Sequence, residues 1–491
     1  MRLTLQTSPL AKVAADWLAV GIWENEPLAG AALELDAKLG GLLSRLREAG
    51  DVAGKVRELT PLYQISGIAA KRLILIGLGL RGKVDFASLV GFAAAAAKML
   101  SAKPVQRVAL ALPDVGPAID ADTALRACAA GFYQGASSAG LRKSTIERTP
   151  PEELCIVASA SLQESLRRAW IEGRATDLAR ELVNLPPCDL YPETFAERAR
   201  VVALKTGLEL QILDEQQLLA ERMNALLAVA RGSERPPRLL VLRHRGGGDK
   251  PTLALVGKGV TFDSGGLSLK TTDQMVDMKC DMAGAAAVLA AMQAIAELQL
   301  PVNVLGVMAL VENMPSGKAM KLGDVLKARN GKTIEVLNTD AEGRLILADA
   351  LAYAVDQKAS HLVDLATLTG ACMVALGYDV AGLMSNDDAW SQKVLSAAQA
   401  AGEKAWPLPM FPHYREMIKS DVADMKNTGG SRYAGAISAA KFLEEFVGET
   451  PWVHLDIAGP SWAEKENATR EAGGTGCFVR TLVELVRIFY G

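Results

Sequence analysis

Two carboxylates and an arginine alternate in a short polar segment that separates two apolar stretches. Asp340, Glu342 and Arg344 are spaced two residues apart, so on an extended backbone all three side chains would point the same way. The preceding residues 334–337 predict a strand, and residues 345–355 predict a helix rich in alanine and leucine. The segment is therefore expected at the carboxyl end of a strand, where α/β sheets usually carry their sites. The structural alternative is a polar loop in which Asp340 begins the helix and pairs with Arg344.

A lysine and an aspartate lie upstream in a run that is otherwise mostly apolar and rich in glycine. Lys258 and Asp263 belong to the sequence Val-Gly-Lys-Gly-Val-Thr-Phe-Asp-Ser-Gly-Gly at residues 256–266. The glycines would let the backbone turn closely around something small. The apolar neighbours indicate a partly buried Lys258 amine with a depressed pKa, able to ligate a metal when neutral. In the alternative, the aspartate belongs to an ordinary turn and the lysine is solvated.

A third charged group follows within twenty residues. Lys270 precedes the segment Asp-Met-Lys-Cys-Asp-Met-Ala-Gly at 277–284, which leads into a helix predicted at 285–298. Asp281 has the residue type and place of a helix N-cap, a role that does not exclude catalysis. Lys270 taken alone is typical of a surface lysine.

Four converging carboxylates would repel one another strongly unless divalent cations neutralised them. The carboxylates are Asp263, Asp281, Asp340 and Glu342, and the cationic side chains among them are Lys258, Lys270 and Arg344. Oxygen-rich ligation favours hard or borderline cations such as magnesium, manganese or zinc. The sequence contains no His-Glu-x-x-His, Gly-x-Ser-x-Gly or P-loop motif, which argues against a zincin, a serine hydrolase and an NTPase. The residues thus favour metal-assisted chemistry.

Length and composition limit the possible partners. The chain has 491 residues, so two domains are expected, and half of its residues are hydrophobic, as in a well-packed α/β protein. Basic and acidic residues number 53 and 56 and are interspersed, so no nucleic acid or anionic membrane is indicated as an obligatory partner. The six cysteines are scattered, as expected for free thiols in a reducing compartment. The longest apolar stretch, 302–311, is too short to span a membrane, so a soluble, cytoplasmic protein is predicted.

Alternating strand-like and helix-like segments predict an α/β fold with two domains. The smaller N-terminal domain is expected over residues 1–158, with strands at 72–78, 108–112 and 154–158 and helices at 85–100 and 123–135. Gly77, Gly79 and Gly82 have the spacing of a dinucleotide-binding loop, but no acidic residue follows about twenty positions later, so the match is weak.

The larger domain is expected to follow a connecting helix. Residues 162–185 predict one long amphipathic helix, ended by two prolines, within a linker over residues 159–187. A catalytic α/β domain with a central mixed sheet is predicted over residues 188–491. Its first strands are expected at 208–213, 238–243 and 253–256.

Four motifs make the chain resemble the leucine aminopeptidase family, also called the cytosol aminopeptidases. They are Val-Gly-Lys-Gly-Val-Thr-Phe-Asp-Ser-Gly-Gly, Met-Lys-Cys-Asp-Met-Ala-Gly-Ala, Asn-Thr-Asp-Ala-Glu-Gly-Arg-Leu and Asp-Leu-Ala-Thr-Leu-Thr-Gly-Ala, in that order. The resemblance extends from about residue 179 to the C-terminus and is looser in the N-terminal region.

The resemblance implies a site with two divalent metal ions. One metal would be held by Lys258, Asp263, Asp281 and Glu342, and a second, more exchangeable one by Asp263, Asp340 and Glu342. The ions would be manganese or zinc, with magnesium or cobalt as further options, and would hold a bridging water as nucleophile. By the same resemblance, Lys270 would polarise the scissile carbonyl and Arg344 would hold a bicarbonate ion as general base.

The resemblance also implies a substrate and an assembly. The protein would release an N-terminal residue, preferably leucine or a similar apolar one, from peptides, and would form a homohexamer. The side chain of that residue would sit near Met278, Thr367, Gly370 and Ala458. Three alternatives are a DNA-binding regulatory role, a catalytically inactive scaffold and a two-metal phosphoesterase. Balanced charge argues against the first, and the intact set of site residues argues against the second. The phosphoesterase would leave Lys258 without a purpose.

Overall fold

The computed structural model describes residues 1–137 and 142–490 and divides them into two compact units. The first unit contains Met1–Asp177 together with Glu464–Ala472, and the second contains Leu178–Ala463 and the residues from Gly473 onward. The two-domain α/β architecture expected from the sequence is therefore present. The division falls inside one long helix, Gln163–Asn184, and the first unit also takes up a short C-terminal segment that the sequence did not predict to belong there.

The first unit is built on a six-stranded sheet that helices cover on both faces. Its strands, in chain order, are β1 (Arg2–Gln6), β2 (Trp17–Trp23), β3 (Leu59–Leu62), β4 (Leu73–Gly79), β5 (Arg107–Ala111) and β6 (Glu153–Val157). Its helices are α1 (Gly30–Lys38), α2 (Leu42–Glu48), α3 (Phe86–Leu100), α4 (Ala121–Ala136) and the first part of α5 (Gln163–Asn184). The order in the sheet is β1-β6-β5-β2-β4-β3, and every pair is parallel except β3 with β4.

The glycine-rich segment at the end of β4 has a packing role. A Cβ atom on Gly77 would lie 1.7 Å from the backbone oxygen of Lys55, so the neighbouring chain fits only because this residue has no side chain. The glycine at position 77 is therefore explained by a close backbone approach.

The second unit contains an eight-stranded mixed sheet. In chain order its strands are β7 (Glu209–Leu213), β8 (Arg238–Arg245), β9 (Thr252–Asp263), β10 (Asn303–Asn313), β13 (Ala359–Ala366), β14 (Ala381–Ser385), β15 (Ala405–Pro407) and β17 (Trp452–Asp456). The order is β15-β14-β17-β13-β9-β10-β8-β7, with a parallel centre formed by β17, β13, β9 and β10. Two small sheets accompany it, one of β11 (Val325–Lys327), β12 (Thr333–Glu335) and β16 (Met425–Lys426), and one of β18 (Trp462–Ala463) and β19 (Gly473–Gly474).

Besides the end of α5, the described residues of this unit form ten α-helices. They are α6 (Pro192–Thr206), α7 (Glu215–Ala220), α8 (Asn224–Ala230), α9 (Thr272–Met275), α10 (Ala283–Glu297), α11 (Gly343–Asp356), α12 (Gly370–Leu376), α13 (Asp388–Ala400), α14 (Gly435–Glu444) and α15 (Val479–Arg487). Both α10 and α11 pack against the central strands β9, β10 and β13. The elements that carry the predicted motifs therefore surround the middle of the sheet.

Strand β9 is three times as long as the sequence pattern predicted. It continues from Thr252 through the charged Lys258 to Asp263, and nearly all of it is buried. A Cβ atom on Gly257 would lie 2.6 Å from the Cα atom of Ala285 in α10, so the glycine permits close packing of helix on strand. The strand was predicted to end at residue 256, but it continues through Gly257 and Gly259 to Asp263.

The segment around Asp340 differs from the expected geometry. The strand before it, β12, belongs to the small three-stranded sheet and not to the central one. Asp340 lies in a turn, and Glu342 has helical backbone angles (φ −78°, ψ −34°) at the start of α11. The prediction of an extended backbone that aligns Asp340, Glu342 and Arg344 was wrong, because the polar link turns directly into the helix.

One helical stretch, Thr272–Glu297, is long and apolar enough to cross a membrane by length and composition alone. It is longer than residues 302–311, which the sequence analysis gave as the longest apolar stretch. Within the protein, 94% of its most apolar window is buried, as in a core helix.

Candidate active site

The predicted site residues meet at the carboxyl ends of the central parallel strands. Lys258 and Asp263 lie on β9, and Thr367 directly follows β13. Asp281 lies in a 3-10 helix, Met278–Met282, that precedes α10, and Glu342 begins α11. Because parallel strands end at one edge of a sheet, residues far apart in sequence converge there.

Lys258 is the centre of a buried group. Its ammonium lies 2.7 Å from Asp281 Oδ1 and 3.0 Å from Glu342 Oε1, and it donates a hydrogen bond of 2.8 Å to the backbone oxygen of Thr367. The side chains of all three charged residues are at most 6% exposed. Thr367 Oγ1 also donates to Asp281 Oδ1 at 2.7 Å, so one carboxylate oxygen receives two donors. This geometry fixes the Asp281 carboxylate in one orientation.

Lys270 joins a second pair of carboxylates. Its ammonium lies 2.9 Å from Asp263 Oδ2 and 2.5 Å from Asp340 Oδ1. Asp263 is buried, whereas the Asp340 side chain is 32% exposed. Lys270 is therefore held over the carboxylates and is not the solvated surface lysine of the structural alternative.

Asn313 holds Asp263 and the backbone next to Asp340 in place by hydrogen bonds, and it was not identified from the sequence. Its amide nitrogen donates to Asp263 Oδ1 at 2.8 Å and to the backbone oxygen of Thr339 at 3.0 Å. Thr339 Oγ1 in turn donates to the backbone oxygen of Gly265 at 2.7 Å. The register pairs Asn313 of β10 with Asp263 of β9, so a polar residue at the end of a long apolar strand was the available signal. Such partners orient a ligand carboxylate.

The donor set fits divalent cations. Oxygen atoms of Asp263, Asp340 and Glu342 lie within 4.8 Å of one another. Asp281 Oδ2 and Glu342 Oε2 are buried and have no hydrogen-bond partner within residues 1–137 and 142–490. Buried carboxylate oxygens without donors are costly, and a coordinated cation removes that cost.

The pKa values of the four carboxyl groups also reflect an excess of negative charge at the site. Burial and the charge of Glu342 raise the pKa of Asp263 to about 6, and burial also raises the pKa values of Asp281 and Asp340. Burial acts to raise the pKa of Glu342, but the charges of Lys258 and Lys270 outweigh it and lower that pKa. Four carboxylates around two lysines leave negative charge uncompensated, which a proton or a cation must neutralise.

The pKa of Lys258 moves opposite to the prediction from sequence. Burial alone lowers it, but the charges of Asp281, Glu342 and Asp263 outweigh burial and hold the pKa above its ordinary value. Burial likewise lowers the pKa of Lys270, and Asp263 and Asp340 raise it overall. The prediction of a depressed Lys258 pKa was wrong for the metal-free chain, because it counted the apolar neighbours and not the carboxylates that folding brings to the amine.

Arg344 is buried beside this cluster with open donor positions. Its Nε and Nη1 atoms have no hydrogen-bond partner within the described part of the chain. Burial lowers its pKa to about 10, while the charges of Glu342 and Asp456 raise it. The guanidinium remains cationic at neutral pH and can accept a small planar anion. It does not pair with Asp340, whose partner is Lys270.

The four residues expected to contact a substrate side chain lie on three separate segments of the chain. Met278 begins the 3-10 helix that carries Asp281, and Gly370 begins α12, where a Cβ atom would meet nothing within 4 Å. Thr367 contacts Asp281, as described above, and Ala458 follows β17.

Asp456 connects two of these loops and is a second residue that sequence reasoning missed. Its Oδ2 accepts from Thr369 Oγ1 at 2.6 Å, and its Oδ1 accepts from the backbone nitrogen of Ala458 at 3.2 Å. An aspartate at the carboxyl end of an apolar strand was the signal in the sequence. The loops after β13 and β17 are thereby held together at the site.

Asp281 does not cap helix α10, and Asp340 does not cap helix α11. Helix α10 begins after Met282 and helix α11 after Glu342, and no side-chain capping bond is present at either end. Asp281 and Asp340 instead face lysines. The arrangement can bind divalent cations, place a protonated lysine beside them and hold an anion at an arginine, which suits hydrolysis of a polarised carbonyl.

Comparison with known families supports this assignment. The model for the cytosol aminopeptidase family, catalytic domain, matches residues 177–483, and the model for the N-terminal domain of the same family matches residues 19–144. A protein of Rhodopirellula baltica named probable cytosol aminopeptidase is 48% identical over 456 residues, which cover 93% of this chain and 89% of that protein.

Two solved structures share the architecture over nearly the whole chain. A mutant of tomato leucine aminopeptidase superposes with a TM-score of 0.88 at 37% identity, covering 99% of this chain and 96% of the other. The bottromycin maturation enzyme BotP in complex with Mn superposes with a TM-score of 0.86 at 36% identity, covering 97% of this chain and all of the other.

Proposed function

The chain belongs to the cytosol aminopeptidase family of peptidase hydrolases, and we propose that it removes an N-terminal residue, preferably leucine or a similar apolar one, from peptides. The observation that carries the proposal is the cluster of converging carboxylates, in which two buried oxygens have no hydrogen-bond partner among the described residues, set between two protonated lysines. The family is metal-dependent, and this donor set suits such a role.

Two groups of residues would hold the cations. One site consists of Lys258, Asp263, Asp281 and Glu342, and the other of Asp263, Asp340 and Glu342. Divalent cations, manganese or zinc in our proposal and magnesium or cobalt as alternatives, supply Lewis-acid activation of water and carbonyl when bound. Asp340 is the most exposed of the carboxylates, which supports faster exchange at the second site. Lys258 must lose its proton to act as a ligand, so occupancy of the first site is expected to release a proton.

Lys270 would stabilise the negative charge that grows on the carbonyl oxygen. Asp263 and Asp340 keep its amine protonated, and its side chain is only 13% exposed. In such a water-poor setting, one well-placed donor contributes roughly 3–4 kcal/mol to lowering the barrier.

Arg344 would hold bicarbonate as the general base. The described residues near the carboxylates offer lysines that are protonated and acids that are candidate ligands, so a bound anion is the simplest proton acceptor. The Nε and Nη1 atoms of Arg344, which have no hydrogen-bond partner among the described residues, support this role because a buried guanidinium can donate charge-assisted hydrogen bonds to a bound anion.

The substrate would enter with its free amino group towards Asp281. Asp281 Oδ2 has no partner within the described residues and can accept a hydrogen bond from that amine, which explains a preference for chain ends. The side chain of the terminal residue would lie among Met278, Thr367, Gly370 and Ala458. The open space at Gly370 supports room for a branched apolar side chain there. We further propose a cytoplasmic homohexamer on the family resemblance, and no observation favours a DNA-binding role.

The test is hydrolysis of leucine p-nitroanilide by the purified protein before and after chelation. We expect chelation to abolish activity, added manganese, zinc, cobalt or magnesium to restore it, and an N-acetylated substrate to resist cleavage. Replacement of Lys270 or Glu342 by alanine should lower turnover by about 10²-fold or more with an unchanged circular dichroism spectrum. Absence of hydrolysis with every cation, or near-wild-type activity of both variants, would refute the proposal.

A further inference from the structure

A buried charged group that the proposed mechanism does not use lies on β13 and β17. His454 Nδ1 is 2.6 Å from Asp364 Oδ1, and the indole nitrogen of Trp452 donates to Asp364 Oδ2 at 2.7 Å. All three side chains are completely buried. His454 Nε2 has no partner among the described residues, so Asp364 alone fixes the ring through a hydrogen bond.

This group lies on the two strands, β13 and β17, that lead into loops of the site. Asp364 pairs with His454 in the register of β13 and β17, and two residues further on Asp456 ends β17. Alternation along a strand puts His454 and Asp456 on one face of the sheet. The charged groups that act on His454 are Asp364 of β13, Asp456 of β17 and Arg344 of α11, while β14 brings the uncharged Met384 alongside it.

We propose that His454 is carried as an imidazolium and is a positioning residue whose charge keeps Arg344 available for a bound anion. The inference rests on the proposed function, because it concerns the anion that Arg344 would hold. It assigns a role in the reaction to a fully buried side chain that lies outside the proposed ligand set.

The balance of buried charge gives the physical reason. Asp364 and Asp456 are two buried carboxylates, and Arg344 is one buried cation. With a neutral His454 the set carries a net negative charge next to the place where another anion should bind. With an imidazolium the set is neutral, and Asp456 is already satisfied by Thr369 and backbone donors without needing Arg344. Electrostatic effects of this kind are strong where water is excluded.

The direction of the His454 pKa agrees with this assignment. Burial lowers it, but the charge and the hydrogen bond of Asp364, together with the charge of Asp456, outweigh burial and Arg344 and raise the pKa above its ordinary value. His361 provides a contrast on the same strand as Asp364. It packs against Trp390 and Phe489, and burial lowers its pKa.

Two variants test the charge without relying on one mutation to fold. His454→Asn keeps a donor towards Asp364 and removes the positive charge, and Asp364→Asn keeps the shape and removes the group that holds the proton. His361→Asn is the matched control. The experiment measures bicarbonate affinity of the metal-loaded protein by titration calorimetry, together with kcat and KM for leucine p-nitroanilide at low and saturating bicarbonate.

We expect bicarbonate to bind roughly tenfold more weakly to His454→Asn, which leaves two carboxylates against Arg344 alone. Asp364→Asn and the double variant should bind it at least as tightly as the wild type, because Asp456 and Arg344 then balance. Turnover of His454→Asn should fall at low bicarbonate and recover at saturation, with KM and metal content unchanged, which a merely structural role would not produce. Wild-type affinity of His454→Asn, weak binding by the double variant, or a loss of turnover that bicarbonate does not restore, would overturn the inference. If Arg344→Ala binds bicarbonate as the wild type does, the anion site itself is wrongly assigned, and the inference falls with it although peptide hydrolysis stands.

Discussion

Replacing Lys258 by methionine should destabilise the metal-free protein far more than replacing an ordinary lysine. The methionine side chain has nearly the same length, so the change removes the charge and leaves the packing largely intact. It leaves Asp281 and Glu342, which lie 2.7 and 3.0 Å from the ammonium, without their shared counter-charge in a site that is almost completely buried. The hydrogen bond to the backbone oxygen of Thr367 is lost as well.

The size of the effect follows from these contacts. Removing one partner of a buried ion pair costs roughly 3–5 kcal/mol, because the remaining charge stays buried and unpaired. For a domain of this size, each kcal/mol lowers Tm by about 2–4 °C, so a decrease of roughly 6–20 °C is expected. The matched control is Lys441→Met, since Lys441 is also buried but pairs with one partly exposed carboxylate, Glu444, at 2.8 Å. The control should lose about 1 kcal/mol or less.

The pH dependence has a definite sign. The pKa of Lys258 is raised in the folded protein, so its contribution to stability is fully present below the unfolded pKa of a lysine and is lost as pH rises through the folded pKa. The wild type and Lys258→Met should therefore converge in stability only at strongly alkaline pH. The assay is thermal unfolding of the chelated proteins followed by circular dichroism. Equal Tm values for chelated wild type and Lys258→Met at neutral pH would show that Lys258 does not neutralise the two carboxylates.

Three further outcomes are expected. Because burial raises the pKa of Asp263 to about 6, protonation should compete with the cation, and manganese affinity measured by calorimetry should fall as pH decreases below about 6; constant affinity down to pH 5 would contradict the assignment of Asp263 as a ligand. Asn313→Ala removes two hydrogen bonds, to Asp263 and to the backbone oxygen of Thr339, and should lower metal affinity or activity roughly 10–100-fold with an unchanged fold. Wild-type metal content and turnover of this variant would show that the two hydrogen bonds are dispensable. Burial raises the pKa of Asp349 to about 7, so the wild type should lose stability as pH rises from about 4 to 7, and urea unfolding of Asp349→Asn should lack this slope.

Residue types and local patterns were enough to identify the candidate residues of the site. Lys258, Asp263, Asp281 and Glu342 were recognisable because four charged side chains in apolar, glycine-rich surroundings require a reason for their burial. The two-domain α/β class was also predictable, because apolar runs of strand and helix length alternate along the whole chain. These features depend on residue type and local pattern, which a sequence displays directly.

The tertiary structure decided which groups act on one another. The sequence assigned Lys258 a depressed pKa from its apolar neighbours, but folding brings Asp281 and Glu342 to it from positions 23 and 84 residues away, and their charges reverse the shift. It also predicted an extended backbone at Asp340, where a turn into α11 is formed instead.

The supporting residues depended on the fold even more strongly. Asn313 reaches Asp263 only because β10 and β9 are paired in one register, and His454 meets Asp364 only because β17 lies beside β13. Neither pairing is encoded in local spacing, since strand order and register result from the packing of the entire sheet. The identity of the proposed ligands is therefore read from the sequence, whereas their charge state and orientation are set by contacts between residues that the chain brings together only when it folds.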